Sequence, residues 1–173
     1  MSGDDRLIAT SSQTVGPFFH FALTSEPNGR LVDRMTGPGE PVTLAARVSD
    51  GAGAPVVDAM IEVLQGGVFG RMPTGENGVC EFHIMRPGSM ADTRPAGDAA
   101  HVHVCVFARG LLRQLHTRIY FAGDPALDTD PVLALVPEAR RGTLLAAPDS
   151  ADGSRWIFDL RLQGDRETVF FDG

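Results

Sequence analysis

Apolar and polar residues alternate along much of the chain, and this period of two predicts β-strands. The alternating runs lie at residues 42–49, 59–65, 80–85, 101–109, 115–121 and 156–162. Segments rich in Gly, Pro and Asp separate them, as in DGAGAP (50–55), and these residue types favour turns. The chain is therefore predicted to consist mainly of short strands joined by turns.

A helix is indicated in only one place. Asp130 can cap a helix, Pro131 suits the first helical position, and Pro137 ends the segment after VLALV. Many strands and almost no helix favour an all-β fold, an antiparallel β-sandwich with one short helix.

Length and charge narrow the class of protein. A chain of 173 residues with 43% hydrophobic content predicts one domain with one core. No apolar run reaches about 18 residues, which argues against a membrane span. The opening MSGDDRLIATSS lacks a long apolar run, so we expect no secretory signal and a cytoplasmic protein. A net charge of −7 without a basic run argues against nucleic-acid binding.

The sequence lacks the residues that several kinds of catalysis require. All fifteen basic residues are arginine, so Schiff-base chemistry and a phosphate-loop lysine are excluded. The chain also lacks a Gly-x-Ser-x-Gly motif, and a nucleophilic hydrolase therefore has no support.

His101 and His103 form the most conspicuous pair. Residues two apart in a strand point to one face, so both imidazoles can converge on one ligand. If the strand stays regular, Arg109 lies on the same side. The spacing alone leaves two interpretations open, metal ligands or histidines that hydrogen-bond to loops at a sheet edge. A site of His101, His103 and a carboxylate such as Asp98 would suit ferrous iron or zinc.

Five segments carry a resemblance to a known family. They are SQTVGPFF (12–19), GRMPTGENGVCEFHIMRPG (70–88), HVHVCVFARG (101–110), HTRIYF (116–121) and LQGDRETVFFD (162–172). In this order they resemble the intradiol ring-cleavage dioxygenases of aromatic compound catabolism, and more narrowly the α subunits of two-subunit members of that family.

The resemblance implies a hetero-oligomer with divided roles. The α subunit is a β-sandwich and pairs with a related β subunit. The β subunit holds a non-haem ferric ion through two tyrosines and two histidines. The enzyme inserts both atoms of dioxygen between the hydroxyl-bearing carbons of protocatechuate and gives 3-carboxy-cis,cis-muconate. Tyrosinate ligands are hard anionic donors that stabilise ferric iron.

Compared with the iron-binding relatives, this chain keeps both histidines and lacks both tyrosines. Met90 stands about where one tyrosine is expected, and the loop that carries the other is reduced to GGVFGR (66–71). RPAGDAA (94–100) carries extra residues before the histidines. Tyr120, the single tyrosine, is interpreted as a sheet residue. We therefore predict that this chain binds no metal and that His101 and His103 are vestiges of an iron site.

The resemblance places the functional residues of this chain elsewhere. Thr14, Gly16 and Pro17 match an N-terminal segment that approaches the partner's iron pocket, and Arg109 matches an arginine on the same boundary. Gly16 permits close backbone approach, and Pro17 stiffens the segment. Arg109 suits the carboxylate of protocatechuate, although an intersubunit salt bridge is the alternative.

The predicted organisation follows from these roles. Residues 1–20 form an N-terminal arm that contacts the partner subunit, and residues 21–173 form a single intradiol-dioxygenase-like β-sandwich domain. The chain alone supplies substrate-binding residues but no catalytic residue. Two other hypotheses stay open: a small metal-binding module built on His101 and His103, and a purely structural assembly subunit.

Overall fold

The computed structural model describes residues 8–16, 18–24, 37, 39–87 and 97–172. The strands are β1 (Glu40–Ser49), β2 (Met60–Gln65), β3 (Val68–Pro73), β4 (Val79–Arg86), β5 (His101–Phe107), β6 (Leu115–Phe121), β7 (Leu145–Pro148) and β8 (Arg155–Arg161). The α-helices are α1 (Phe18–Leu23) and α2 (Glu138–Arg141), and single 3-10 turns occur at Leu133–Leu135 and Gly142–Leu144. Pro17 and Met90 lie outside the described residues.

The strands form a nearly closed sandwich in the order β3-β2-β5-β6-β7-β8-β1-β4. The short strand β7 joins the two halves, because Leu145 and Ala146 pair with β6 while Ala147 and Pro148 pair with β8. At the opposite side, the side-chain amide of Gln65 donates to the carbonyl of Met85 at 2.5 Å. The predicted all-β sandwich is confirmed.

The sheet is mixed rather than antiparallel throughout. The β1/β8 and β6/β7 pairs are parallel, and the other pairs are antiparallel. Parallel partners need a long crossover connection. β8 meets this requirement because it is the last strand in the chain and all the other strands lie between it and β1. Alternation within a strand does not reveal which strand lies beside it.

The core lies between the two halves of the sandwich. Val102, Val104 and Val106 of β5 are buried, as their alternation predicted, and they belong to the same cluster as Leu44 and Phe82 from the facing half. Burial of this apolar surface is the main stabilising contribution to the fold.

Two local features differ from the pattern in the sequence. GGVFGR is a strand rather than a reduced loop for most of its length, because Gly66 and Gly67 form a two-residue turn and β3 begins at Val68. Both glycines have positive φ, +55° and +84°, which is the requirement of a type I′ hairpin turn. The segment after Asp130 contains only a 3-10 turn, Leu133–Leu135, before α2.

We expect Phe82→Ala to lower the free energy of unfolding by about 3–5 kcal/mol, because this fully buried ring leaves a cavity in the core. Phe69→Ala, on the edge strand β3, is the matched control and should cost about 1 kcal/mol, since its ring is 38% exposed. Urea unfolding of the two variants measures the difference. Equal losses would contradict the assignment of the core.

Candidate functional site

Strand β5 carries the sequence-predicted candidates at its two ends. His101 begins the strand, and Arg109 follows just after its last residue, Phe107. At the usual rise per residue the ends of this strand are about 20 Å apart. The histidine pair and the arginine are therefore separate sites.

The two imidazoles at the first end face each other. Nδ1 of His101 donates to the carbonyl oxygen of Ala99 at 2.9 Å, which leaves Nε2 of this ring as an acceptor. Nε2 of His103 lies 3.4 Å from it, and the ring centroids are 4.9 Å apart. Burial lowers the pKa of both histidines, and the positive charge of Arg118 lowers both further. The lowered pKa favours the neutral form of both rings.

The neighbouring strand β6 supplies a phenol and a cation to the same face. The register places Tyr120 opposite His101 and Arg118 opposite His103. Tyr120 is fully buried, and its hydroxyl donates to Oδ1 of Asp130 at 3.0 Å. Burial raises the pKa of Tyr120 to about 12, so its side chain stays a phenol at neutral pH. Tyr120 is a buried sheet residue, as predicted.

These residues do not fit a ferric ion. The pair offers two neutral nitrogens, Tyr120 is not a tyrosinate, and Arg118 adds a positive charge nearby. Ferric iron in this kind of site requires hard anionic donors. Within the described residues, no group of three His, Cys, Asp or Glu side chains could hold a metal ion, so Asp98 does not complete the alternative two-histidine, one-carboxylate site.

The buried carboxylate of Asp130 organises this end of β5. It accepts hydrogen bonds from the backbone N–H groups of Ala99, Val132 and Leu133 as well as from Tyr120. Burial alone would raise the pKa of Asp130, but the hydrogen bonds outweigh burial and hold the pKa below its usual range. The sequence indicated only the capping bonds to the turn that follows.

At the other end, Arg109 stands in a tight turn rather than on the strand. The N–H of Leu111 donates to the carbonyl of Ala108 at 3.3 Å, and Gly110 has a φ of +89°. The Nε of Arg109 donates to Oδ2 of Asp58, a partner that the sequence analysis missed. The side chain of Arg109 remains two-thirds exposed.

The N-terminal segment meets this turn. The hydroxyl oxygen of Thr14 accepts a hydrogen bond from the N–H of Gly110 at 2.8 Å. Two predicted site residues, Thr14 and Arg109, are thus brought together although 95 positions separate them. The carbonyl of Gly16 accepts from the N–H of Phe19 at 3.2 Å, and no described atom lies within 4 Å of where a side chain on Gly16 would begin.

Comparison with known proteins shows that this chain is similar to dioxygenases. A family model described as Dioxygenase matches residues 70–164. The alpha chain of protocatechuate 3,4-dioxygenase from Burkholderia cepacia is 36% identical, over 94% of this chain and 96% of that relative. The beta chain from the same organism is 27% identical, over 73% of this chain and 66% of that relative. The dioxygenase domain of a carbohydrate-binding fusion protein from Streptomyces sp. SirexAA-E shares the fold, with a TM-score of 0.60 at 23% identity over 90% of this chain and 99% of that domain.

The chain belongs to the intradiol dioxygenase family. The family predicted from the motifs is therefore confirmed. Within that family, the chain is a homologue of the alpha chains of protocatechuate 3,4-dioxygenase. In the described part of the chain, no helix is long and apolar enough to cross a membrane.

We expect Asp130→Asn to lower the free energy of unfolding at pH 7 by about 2 kcal/mol or more, because an amide leaves buried donors unsatisfied. Since the folded pKa of Asp130 is below its ordinary value, its contribution is present above the ordinary carboxyl pKa and is lost as the pH falls through the folded pKa. The variant should therefore lose less stability than the wild type on acidification. Urea unfolding between pH 7 and pH 3 measures both effects.

The control is Asp128→Asn, which changes an exposed carboxylate two residues away. It should leave the unfolding free energy at pH 7 unchanged. An Asp130→Asn protein as stable as the wild type would contradict the role of this carboxylate.

Proposed function

We propose that this chain is the iron-free subunit of a protocatechuate 3,4-dioxygenase and that a related β subunit holds the ferric ion. The observation that carries the proposal is the contact between Thr14 and the turn of Arg109, which joins the predicted N-terminal segment to the predicted substrate residue. The histidine end of β5 supports the same division, since it lacks the anionic ligands that ferric iron requires.

The relatives support a partner of related sequence. One organism has both an alpha and a beta chain of protocatechuate 3,4-dioxygenase, and both are similar to this chain. The two chains are therefore paralogues, and a paralogue can pack through equivalent surfaces. The partner we propose is the β-type chain, with protocatechuate and dioxygen as the small-molecule substrates and the cytoplasm as the location.

The residues of this chain would form one wall of the partner's active site. Ferric iron held there would draw both catechol oxygens into coordination and make the ring reactive towards dioxygen. Arg109 would bind the substrate carboxylate, because a guanidinium matches a carboxylate through two parallel hydrogen bonds. Thr14, Gly16 and Pro17 would close the pocket from the side of the arm. The open space at Gly16 leaves room for a close approach of the partner or substrate.

We further propose that residues 1–20 act as the arm and residues 21–173 as the sandwich domain. Residues 8–14 are all exposed in this chain, including the apolar side chain of Ile8 at 95%. Exposed apolar residues next to a predicted contact suit an interface with another chain. A purely structural subunit would have the same arm. A subunit that shapes the active site differs from it because its Arg109 binds the substrate carboxylate.

The chain produced alone should be colourless and should bind no stoichiometric ferric ion, because it provides no tyrosinate ligand. Its complex with the β chain should carry one iron per pair of chains. Metal analysis and visible absorption of the two preparations measure this. A coloured protein with one iron per chain in the absence of the partner would overturn the proposed division.

In the complex, Arg109→Ala should raise the KM for protocatechuate about tenfold or more, since a hydrogen bond to a charged group contributes about 1.5–3 kcal/mol. Steady-state kinetics measure the effect. Arg113→Ala, which removes another exposed arginine close by, is the control and should leave the KM unchanged. An unchanged KM in Arg109→Ala would leave the subunit with a structural role alone.

A further inference from the structure

We infer that Asp58 is a positioning residue that holds the guanidinium of Arg109 in the orientation that receives the substrate carboxylate. The inference rests on the proposed function, since it gives Arg109 a substrate contact. Asp58 lies just before β2, apart from the motifs that carry the family resemblance.

The paired ends of β2 and β5 bring the two residues to the same edge of the sheet. β2 and β5 are antiparallel, and Met60 pairs with Phe107 at the end of the ladder. Asp58 lies two residues before Met60, and Arg109 lies two residues after Phe107. Both residues lie in turns just beyond this end of the ladder, and the Nε of Arg109 donates to Oδ2 of Asp58 between the two turns.

The backbone on the Asp58 side is held firmly. The buried hydroxyl of Thr74 donates to the carbonyl of Val56 at 2.8 Å and accepts from the N–H of Ala59 at 3.0 Å. The N–H of Thr74 also donates to the carbonyl of Ala59 at 2.8 Å. These bonds tie the residues on both sides of Asp58 to one buried side chain, so the carboxylate is presented from a fixed position.

The backbone on the Arg109 side is constrained as well. Ala108 is buried, the turn closes through Leu111, and Gly110 is tied to Thr14. Two fixed backbone positions and one side-chain contact therefore determine where the guanidinium points.

The contact with Asp58 involves only the Nε side of the guanidinium. Asp58 accepts from Nε, and among the described residues neither Nη1 nor Nη2 has a partner, so both can meet a carboxylate that approaches end-on. The side chain of Asp58 is 27% exposed, whereas that of Arg109 is 66% exposed, so the carboxylate lies on the inner side of the pair. A side chain already held in its bound orientation loses less conformational freedom when substrate binds.

If Asp58 only stabilised the fold, its removal would change the unfolding free energy rather than substrate binding. Exposed ion pairs contribute little to folding stability, so removal of Asp58 should change binding far more than unfolding. If Asp58 acts through Arg109, its removal should have no further effect once Arg109 is absent.

The test uses the complex of the full chain with its β partner and measures steady-state kinetics for protocatechuate. Asp58→Asn should raise the KM about three- to tenfold, with a smaller effect on kcat and an unchanged thermal midpoint. Asp58→Glu, which keeps the carboxylate, should recover part of the effect and serves as the second variant. Glu76→Gln, an exposed carboxylate near β4, is the matched control and should leave the KM unchanged.

The double variant Asp58→Asn/Arg109→Ala tests whether Asp58 acts through Arg109. We expect its KM to equal that of Arg109→Ala alone. An unchanged KM in Asp58→Asn, or a further increase in the double variant, would overturn the inference. Failure of the proposed function looks different, because Arg109→Ala would then leave the KM for protocatechuate unchanged.

Discussion

The antiparallel ladder between β2 and β5 is the constraint on which the rest of the site depends. It sets Leu64 opposite His103 at one end, and just beyond its other end the turns that carry Asp58 and Arg109 meet through their side chains. The valines on the inner face of β5 keep this register in place, since a shift by one residue would turn them out of the core. Both ends of the strand are thereby positioned by one hydrophobic face.

The two ends have different chemistry because their neighbours differ. At the histidine end, the phenol of Tyr120 is tied to Asp130, and the loop before β5 is held by hydrogen bonds to the same carboxylate. Ala99, whose N–H donates to Asp130, in turn accepts from Nδ1 of His101 and so orients this ring. At the arginine end, Asp58 holds the guanidinium at Nε, and within the described part of the chain its other nitrogens have no partner, which suits recognition of an anion.

The sequence predicted those features that depend on local pattern. Alternation identified the valine face of β5 and placed His101 and His103 together, and the motifs identified the family. Alternation could not identify the pairing of Asp58 with Arg109, because it depends on the register of strands that are far apart in the chain. β7 was missed because four residues that change partners midway show no alternation of their own. Asp130 was recognised as a cap, but its bonds to Ala99 and Tyr120 depend on the tertiary fold. The role of Pro17 stays a prediction.

A crystal structure of the complex with protocatechuate bound would show where the iron and the substrate lie. We expect iron held by the partner chain, the substrate carboxylate within hydrogen-bond distance of the Arg109 guanidinium, and no metal between His101 and His103. Iron at the histidine pair, or a substrate carboxylate remote from Arg109, would contradict this expectation.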